Sequence, residues 1–290
     1  MHKSLWLVVF ILTASESFCQ NRGFLNVSSG VQVQFIVTNP SGRRTGEDPR
    51  GMPNPMQGKA LREIPGASYS ISSVGDSPQK EYEPSRQDLQ FEFQYRFITP
   101  DNDGTYTIQT IGIELGVYSL FVHISPRRGS NIKTFRKQIK GLTDIDQVTE
   151  YKFTYRSTYP TLASLEKVVA LQTFRQELDN SYKLKLLGDR ELHKDLSHRL
   201  DKLERYLADK DSSKAHHELE KFGEKIEDVR NQTIKTEQKK QKPPKHFITA
   251  DAYQILQEDA NALLKQLPDD KREKKEKEGK KEKDDAKDDD

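Results

Sequence analysis

The stretch Pro100 to Gly104 carries the residues of this 290-residue chain that are best suited to bind a metal ion. The carboxylates of Asp101 and Asp103 are the oxygen ligands that calcium prefers, and Gly104 permits a sharp bend. A calcium loop of the EF-hand type also needs a bidentate Glu further along, and a strand-like sequence follows instead. The pattern therefore favours a turn with glycine at positive φ. Calcium, bound by Asp101 and Asp103, is the one candidate cofactor.

Two helical segments place a histidine one turn from another polar group. His216 precedes Glu220 by four residues, and His193 precedes Ser197 by four. Zinc requires three or four ligands, and the HExxH motif is absent from the sequence. Ser68 lacks the G-x-S-x-G context of a nucleophile elbow. We therefore predict no catalytic residues.

Paired arginines occur in two loops that are rich in proline and glycine. Arg43 and Arg44 lie in one loop, with Arg50 close behind, and Arg127 and Arg128 lie in the other. Both pairs are candidates to contact an acidic polymer such as a surface glycan. The competing interpretation is a solvated loop, because charge alone indicates solubility more than it indicates a partner.

An aromatic ladder occupies alternate positions of one predicted strand, at Phe91, Phe93, Tyr95 and Phe97. Such a row could stack on sugar rings if it faced solvent. A small sheet protein must bury large side chains to be stable, so the interpretation that we favour places the ladder in the interior.

Period-two alternation runs through the first half of the chain and predicts strands. Apolar residues alternate with polar ones in five runs: Val31 to Val37, Phe91 to Phe97, Tyr106 to Thr110, Tyr118 to Ile124 and Tyr151 to Tyr155. Asp103 to Ile124 is predicted to form one hairpin that turns at Leu115-Gly116. The expected fold is an all-β, antiparallel sandwich of about seven or eight strands over residues 24–158.

Three segments of this half resemble a bacterial extracellular β-sandwich module that accompanies other domains in large secreted or surface proteins. A T-[DN]-P-x-G-R-R turn corresponds to Thr38 to Arg44, and an E-I-P-G-A-S-Y segment corresponds to Glu63 to Tyr69. The predicted hairpin is the third segment. The resemblance covers residues 31–124 in pieces, and it implies an accessory or adhesive part with no catalytic role.

The apolar period changes to that of a helix after Tyr159-Pro160, which predicts a separate small α-helical bundle over residues 160–267. Thr161 and Thr249 are expected to cap the first and last helices. The four apolar stripes are Leu162, Leu165, Val168, Val169 and Leu171; Leu192, Leu196, Leu200, Leu203 and Leu207; Ala215, Leu219, Phe222, Ile226 and Val229; and Ala252, Leu256, Ala260, Leu263 and Leu267.

The last three of these helices resemble a FIMAH domain, a short helical module of bacterial secreted proteins. The resembling segments are LSHRLDKLERYLADKDSSKAHHELEKFGEKIEDVR and ITADAYQILQEDANALLKQL, which together span residues from about 190 to 267. The insert KTEQKKQKPPKH is longer and more basic than the family pattern. The resemblance implies a surface or extracellular interaction module.

Both ends of the chain differ from the two predicted domains. Lys3 followed by the apolar run Leu5 to Leu12 predicts a signal peptide over residues 1–19, with cleavage after Cys19. A lipid anchor on Cys19 is the alternative, although Glu16 and Phe18 do not fit a lipobox. Residues 268–290 are predicted to be a disordered charged tail, since twenty of the twenty-two residues from 269 onward are charged.

The overall composition narrows the choice of function. The chain has 47 basic and 45 acidic residues, and this balance argues against a nucleic-acid partner. No apolar run after the signal peptide is long enough to span a membrane. The sequence predicts a secreted or cell-surface, non-enzymatic binding or scaffold protein whose partner is a glycan or an extracellular protein. The alternative is a secreted hydrolase or metal-dependent enzyme, which would need several of these residues to converge: Ser68, Asp101, Asp103, His123 and His216.

Overall fold

A computed structural model describes residues 24–30, 32–52, 58–73, 92–98, 103–125, 135–155, 165–239, 242 and 244–268. The chain divides into two compact units between Val168 and Val169. The predicted signal peptide and the tail from residue 269 onward lie outside the described residues, as do Phe91, Asp101, Arg127 and Arg128.

The first unit is built from β-strands, and every pair of neighbouring strands is antiparallel. Its described residues form eleven strands: β1 Phe24–Gly30, β2 Val33–Thr38, β3 Arg44–Asp48, β4 Lys59–Arg62, β5 Ser68–Ser73, β6 Glu92–Ile98, β7 Gly104–Gly112, β8 Gly116–Ser125, β9 Phe135–Thr143, β10 Val148–Tyr155 and β11 Leu165–Val168. Sheet A has the order β5-β6-β1-β8-β9, and sheet B has the order β11-β10-β7-β2-β3-β4. The prediction of a β-rich region followed by helices is confirmed.

Buried side chains of both sheets form one hydrophobic cluster. Four of the predicted alternating runs supply most of it, through Val33, Phe35 and Val37; Tyr106 and Ile108; Tyr118, Leu120, Val122 and Ile124; and Tyr151, Phe153 and Tyr155. The hydroxyl of Tyr118 in sheet A lies 2.6 Å from that of Tyr151 in sheet B and 3.1 Å from that of Thr110. This chain of hydroxyls satisfies polar groups that would otherwise be costly to bury.

The predicted hairpin from Asp103 to Ile124 is wrong. Its two halves, β7 and β8, lie in different sheets, where β7 pairs with β2 and β10 while β8 pairs with β1 and β9. The chain leaves sheet B at Gly112, whose N–H donates to the carbonyl of Gln147, and crosses to sheet A through residues 113–115. Alternation identifies a strand, but it does not identify the strand's neighbours, so a sheet-to-sheet connection has the same pattern as a hairpin.

The backbone register of β6 with β1 is described for the strand that carries the aromatic ladder. Directly paired residues of antiparallel strands lie on the same face of a sheet. The register pairs Arg96 with Val27, which is fully buried in the hydrophobic cluster, and pairs Phe97 with Asn26. The side chains of Phe93, Tyr95 and Phe97 lie outside the described part of the structure, so burial of the ladder stays a prediction.

The second unit contains four helices within its described residues: α1 Leu171–Lys183, α2 Arg190–Ala208, α3 Ser212–Gln238 and α4 Ala250–Gln266. None of the helices that the structure describes is long and apolar enough to cross a membrane. Three predicted stripes are confirmed as buried faces that share one hydrophobic cluster, with members Leu192, Leu196, Leu200 and Leu203; Ala215, Leu219, Phe222, Ile226 and Val229; and Leu256, Ala260 and Leu263.

The first predicted helix begins too early. Leu165–Val168 is a strand that pairs with β10, and α1 begins only at Leu171. The side-chain ammonium of Lys137 donates to the carbonyl of Leu165, which ties this strand to the first unit. Because Leu165, Val168 and Val169 recur at three- and four-residue spacing, the short strand looks helical from its apolar period alone. Thr161, its predicted cap, lies outside the described residues.

Candidate functional site

The candidate calcium turn is described only from Asp103 onward. Asp103 is exposed and immediately precedes β7, and Asp101 lies outside the described residues. Gly104 has a φ of 140°, and a Cβ at this position would lie 2.9 Å from the ring of Pro40. The predicted glycine at positive φ is therefore confirmed, because both the backbone conformation and the nearby proline exclude a side chain there.

The first predicted arginine pair lies at the end of a tight turn between β2 and β3. The side-chain oxygen of Asn39 accepts hydrogen bonds from the backbone N–H groups of Ser41 and Arg43, at 3.1 and 2.8 Å. Arg43 and Arg44 are both exposed. The guanidinium of Arg44 forms a forked ion pair with Glu63, in which Nη2 lies 2.9 Å from Oε1. Arg44 thus already has a carboxylate partner within its own unit.

The ion pair between Arg44 and Glu63 shifts the pKa values of both groups. Hydrogen bonds from the guanidinium and the backbone N–H of Arg44 hold the pKa of Glu63 below its ordinary value, and the same side-chain bond raises the pKa of Arg44. Arg50 is paired in the same way with Asp48, at 2.6 Å. Both arginines are therefore internally neutralised. The second predicted pair, Arg127 and Arg128, lies outside the described residues.

A pocket of about 520 Å³ opens on sheet A, away from the predicted arginines. We call the surface that carries it the polar face of sheet A, defined by Asn26, Ser28, Phe121, His123, Arg136 and Gln138. These six residues line the pocket together with Val122 and Lys137.

Strand register brings the polar face together from three neighbouring strands. β8 lies between β1 and β9, so each row across the sheet contains one residue from each strand. One row is Asn26, His123 and Arg136, and the next is Ser28, Phe121 and Gln138. The same pairing continues into β6, where Phe97 aligns with Asn26 and Tyr95 aligns with Ser28. The residues are far apart in sequence, and the sheet alone makes them neighbours.

The polar face of sheet A carries cationic side chains and a histidine whose pKa is lowered. Partial burial, with a smaller effect from the positive charge of Arg136, lowers the pKa of His123 below its ordinary value. The His123 imidazole is therefore neutral at pH 7 and can exchange hydrogen bonds with a ligand. None of the eight described lining residues is a carboxylate.

Two amides of the polar face provide hydrogen-bonding groups. The Asn26 side-chain oxygen is buried, and it accepts no hydrogen bond from the residues that the structure describes. Gln138 is exposed, and its amide nitrogen donates to the Ser119 hydroxyl at 3.1 Å. A buried acceptor without a donor is costly, so a ligand that donates to Asn26 would relieve that cost.

Comparisons with known proteins do not identify the chain: no family model, no curated protein and no solved structure matches it. The function is therefore inferred from the arrangement of the described residues.

Within the described part of the first unit, the residues whose convergence would indicate an enzyme are not gathered in one pocket. His123 lines the pocket on sheet A, whereas Ser68 and Asp103 are exposed and are not among its lining residues. His216 lies in the second unit, where its imidazole is 3.4 Å from the carboxylate of Glu220. The imidazole of His193, which the sequence placed one helical turn from Ser197, lies 2.8 Å from the carboxylate of Asp179 in α1.

A second cluster, which sequence reasoning missed, lies at the start of α2. Among the described residues, Asp189, Glu191 and His246 are the one group of three potential metal ligands whose atoms lie within 4.8 Å of one another. His246 approaches Asp189 at 3.3 Å and, with Glu191, lines a pocket of about 400 Å³. The 55-residue separation between Glu191 and His246 hides this cluster from any local motif.

The contacts of this cluster favour a structural role. Asp189 caps α2 by accepting from the N–H groups of Glu191 and Leu192, and these bonds, that of Leu192 first, hold its pKa below the ordinary value. The ammonium of Lys245 lies 2.7 Å from Glu191 and 3.6 Å from Asp189. A cation is therefore already present where a metal would bind, and helix capping accounts for the position of Asp189.

Proposed function

We propose that this chain is a secreted or cell-surface, non-enzymatic binding protein, and that the polar face of sheet A engages a surface glycan or an extracellular protein. The pocket on that face carries the proposal, because three adjacent strands contribute cationic and neutral hydrogen-bonding groups to it without any carboxylate among the described lining residues. Concave sites with a few convergent polar groups are the usual form of a ligand site.

The same proposal accounts for the rest of the chain. The first unit is a β-sandwich of the bacterial extracellular kind and the second is a helical bundle that resembles FIMAH domains from about residue 190. Residues 1–19 are a signal peptide that is removed on export, and the segment after residue 268 is a disordered, mixed-charge tail. The sheet order, the shared cluster of both sheets and the separate cluster of the helices support the sandwich and the bundle.

A retention experiment tests the proposal. The chain from Gln20 to Asp290 is immobilised and exposed to purified envelope polysaccharides and to culture proteins, with and without calcium. The double variant Phe121→Ala/Gln138→Ala removes an aromatic and an amide group from the polar face. We expect it to lose the ligand that the unmodified chain retains.

The matched control lies on sheet B. Thr107→Ala/Gln109→Ala changes two β7 positions that alternate with the buried Tyr106 and Ile108, so it alters the outward face of the other sheet. We expect this variant to retain the ligand, with circular dichroism establishing that both variants are folded. Retention that survives the polar-face change, or no retention of any component, would overturn the proposal.

The metal-dependent enzyme is the alternative, and the cluster of Asp189, Glu191 and His246 is the observation in its favour. Titration calorimetry with zinc distinguishes the two functions. Because the ammonium of Lys245 already lies against both carboxylates, we expect no zinc binding that disappears in the variant His246→Gln. Stoichiometric zinc binding that this variant abolishes would favour the enzyme.

A further inference from the structure

The arginines of the first unit differ in whether they have a carboxylate partner. Arg44 and Arg50 form ion pairs with Glu63 and Asp48. Arg136 is exposed on β9, and its guanidinium makes no hydrogen bond or ion pair with the residues that the structure describes. Its position on the polar face therefore presents an uncompensated guanidinium beside a pocket whose described lining contains no acid. This charge pattern is complementary to an anionic ligand, and a guanidinium binds a carboxylate through two parallel hydrogen bonds.

The other groups of the pocket require a ligand that also donates hydrogen bonds. The buried Asn26 oxygen is an acceptor without a donor, and Ser28 and Gln138 can each donate and accept. A simple anion such as phosphate or sulfate offers mainly acceptors, so it would leave the Asn26 oxygen unsatisfied. Hydroxyl groups donate and accept, and a ligand that carries hydroxyls together with a carboxylate satisfies both sets of groups.

An aromatic side chain borders these polar groups. Phe121 is partly buried in the pocket lining and lies in one row with Ser28 and Gln138. An aromatic surface beside hydrogen-bonding groups suits a ring that is apolar on its face and polar at its edge. Sugar rings have this character.

The backbone arrangement makes a peptide ligand less suitable for this face. Peptides commonly bind a sheet by adding a strand to an edge, where main-chain groups are unpaired. β1 lies between β6 and β8, and β8 lies between β1 and β9, so both central strands of the pocket are paired on each side. The face itself presents side chains, as in the recognition of a glycan, whereas a peptide that added a strand beside this pocket would have to pair with β9 at the edge of sheet A.

From these observations we propose that the polar face of sheet A binds a glycan that contains uronic acid residues, with Arg136 contacting the carboxylate and Asn26 accepting from a hydroxyl. The proposal rests on the proposed binding function and names the ligand class of the same site. It places the acidic contact on β9, at a residue that no sequence motif singles out.

The test compares a uronic acid hexasaccharide with its methyl ester, which has the same rings and hydroxyls but no charge. Binding of each to the chain from Gln20 to Asp290 is measured by calorimetry, for the unmodified protein and for Arg136→Gln. We expect the acid to bind at least about tenfold more tightly than the ester, since hydrogen bonds to charged groups have this magnitude. Arg136→Gln should remove that preference, so that the acid and the ester bind this variant with equal affinity.

Two variants make the result specific to Arg136. Arg62→Gln removes another exposed arginine, on β4 of sheet B, and should not alter binding of the acid. Arg136→Lys keeps the charge but not the planar fork, so it should recover only part of the preference.

The outcomes separate this proposal from the binding function on which it rests. Equal affinity for acid and ester, or a preference that survives Arg136→Gln, overturns the uronic acid proposal and leaves the binding function in place. Binding of poly-glutamate as tight as that of the hexasaccharide assigns the face to an acidic peptide, and it overturns the glycan class. Failure to bind any of these probes also overturns the ligand class, whereas the binding function fails only if the broader panel is not retained either.

Discussion

At the scale of single residues, His123 couples the polar face to pH. Its ordinary pKa is 6.5, and burial together with Arg136 lowers the pKa in the folded state. Between the two values the unfolded chain binds a proton that the folded chain does not, so the free energy of unfolding falls as pH falls below about 6.5. Above that pH the imidazole is neutral in both states, and its contribution no longer changes.

The variant His123→Gln isolates this effect from the other titrating groups. We expect urea denaturation to show that the unmodified protein loses more stability than the variant between about pH 7.5 and pH 5.5. The difference between the two proteins should be constant at higher pH. Parallel stability curves across the whole range would contradict a lowered pKa for His123.

Gly141 makes room for the buried tyrosine of the core. A Cβ at this position would lie 2.5 Å from Cζ and 2.6 Å from the hydroxyl of Tyr118, whose ring also supports the hydrogen bond to Tyr151. Gly141→Ala should therefore destabilise the first unit by about 1–3 kcal/mol, measured by chemical denaturation. Gly30→Ala is the control, because the closest atom that it would meet is the mobile side-chain oxygen of Gln32. Equal effects of the two substitutions would disprove the packing argument.

At the scale of elements, the cap of α4 is a prediction from sequence that the structure confirms. The hydroxyl of Thr249 accepts from the N–H of Ala252 at 3.4 Å, and this bond satisfies one donor of the first helical turn. Thr249→Ala should cost about 1 kcal/mol in the free energy of unfolding of the second unit. Thr249→Ser keeps the hydroxyl, so its free energy of unfolding should stay within a few tenths of a kcal/mol of that of the unmodified protein. An alanine variant as stable as the serine variant would show that the cap contributes nothing.

Periodicity predicted the elements that bury one complete face. Leu192, Leu196, Leu200 and Leu203 recur every three or four residues and do form the buried side of α2. The strands β3, β4 and β11 escaped prediction because they are short and have few apolar residues, and β4 and β11 also lie at the edges of sheet B. Such strands are specified by their neighbours in the sheet more than by their own pattern.

The aromatic ladder shows where periodicity is insufficient. Alternation in β6 separates one set of residues from the other, but it does not say which set faces the interior. A one-residue shift in register reverses the faces of a strand, so the choice between the two sets depends on the pairing with neighbouring strands and not on the alternation itself.

At the scale of the whole molecule, the candidate site could not be predicted because it has no local motif. Asn26, His123 and Arg136 come from three strands, and only the order β1-β8-β9 makes them neighbours. The sequence did provide the residue types and the alternating strands. It did not provide the sheet order, since many pairings are compatible with the same set of strands.

The division of the chain gives the last prediction, which concerns independent folding. Leu165 is buried in the cluster of the sheets, while Val169 is buried in the cluster of the helices. The carbonyl of Leu165 accepts from Lys137, and that of Val169 accepts from Gln266. Fragments 24–168 and 169–268 therefore each keep their own core and contacts, so we expect a cooperative urea transition from each.

A second cut tests the boundary itself. Fragment 24–158 ends where the sequence alone placed the end of the β-rich domain, and it lacks β11 with the buried side chain of Leu165. Deleting a buried leucine costs about 2–5 kcal/mol, so this fragment should unfold at a clearly lower urea concentration than fragment 24–168. Equal midpoints for the two fragments would show that β11 is not part of the cooperative unit, because its loss would then leave the free energy of unfolding unchanged.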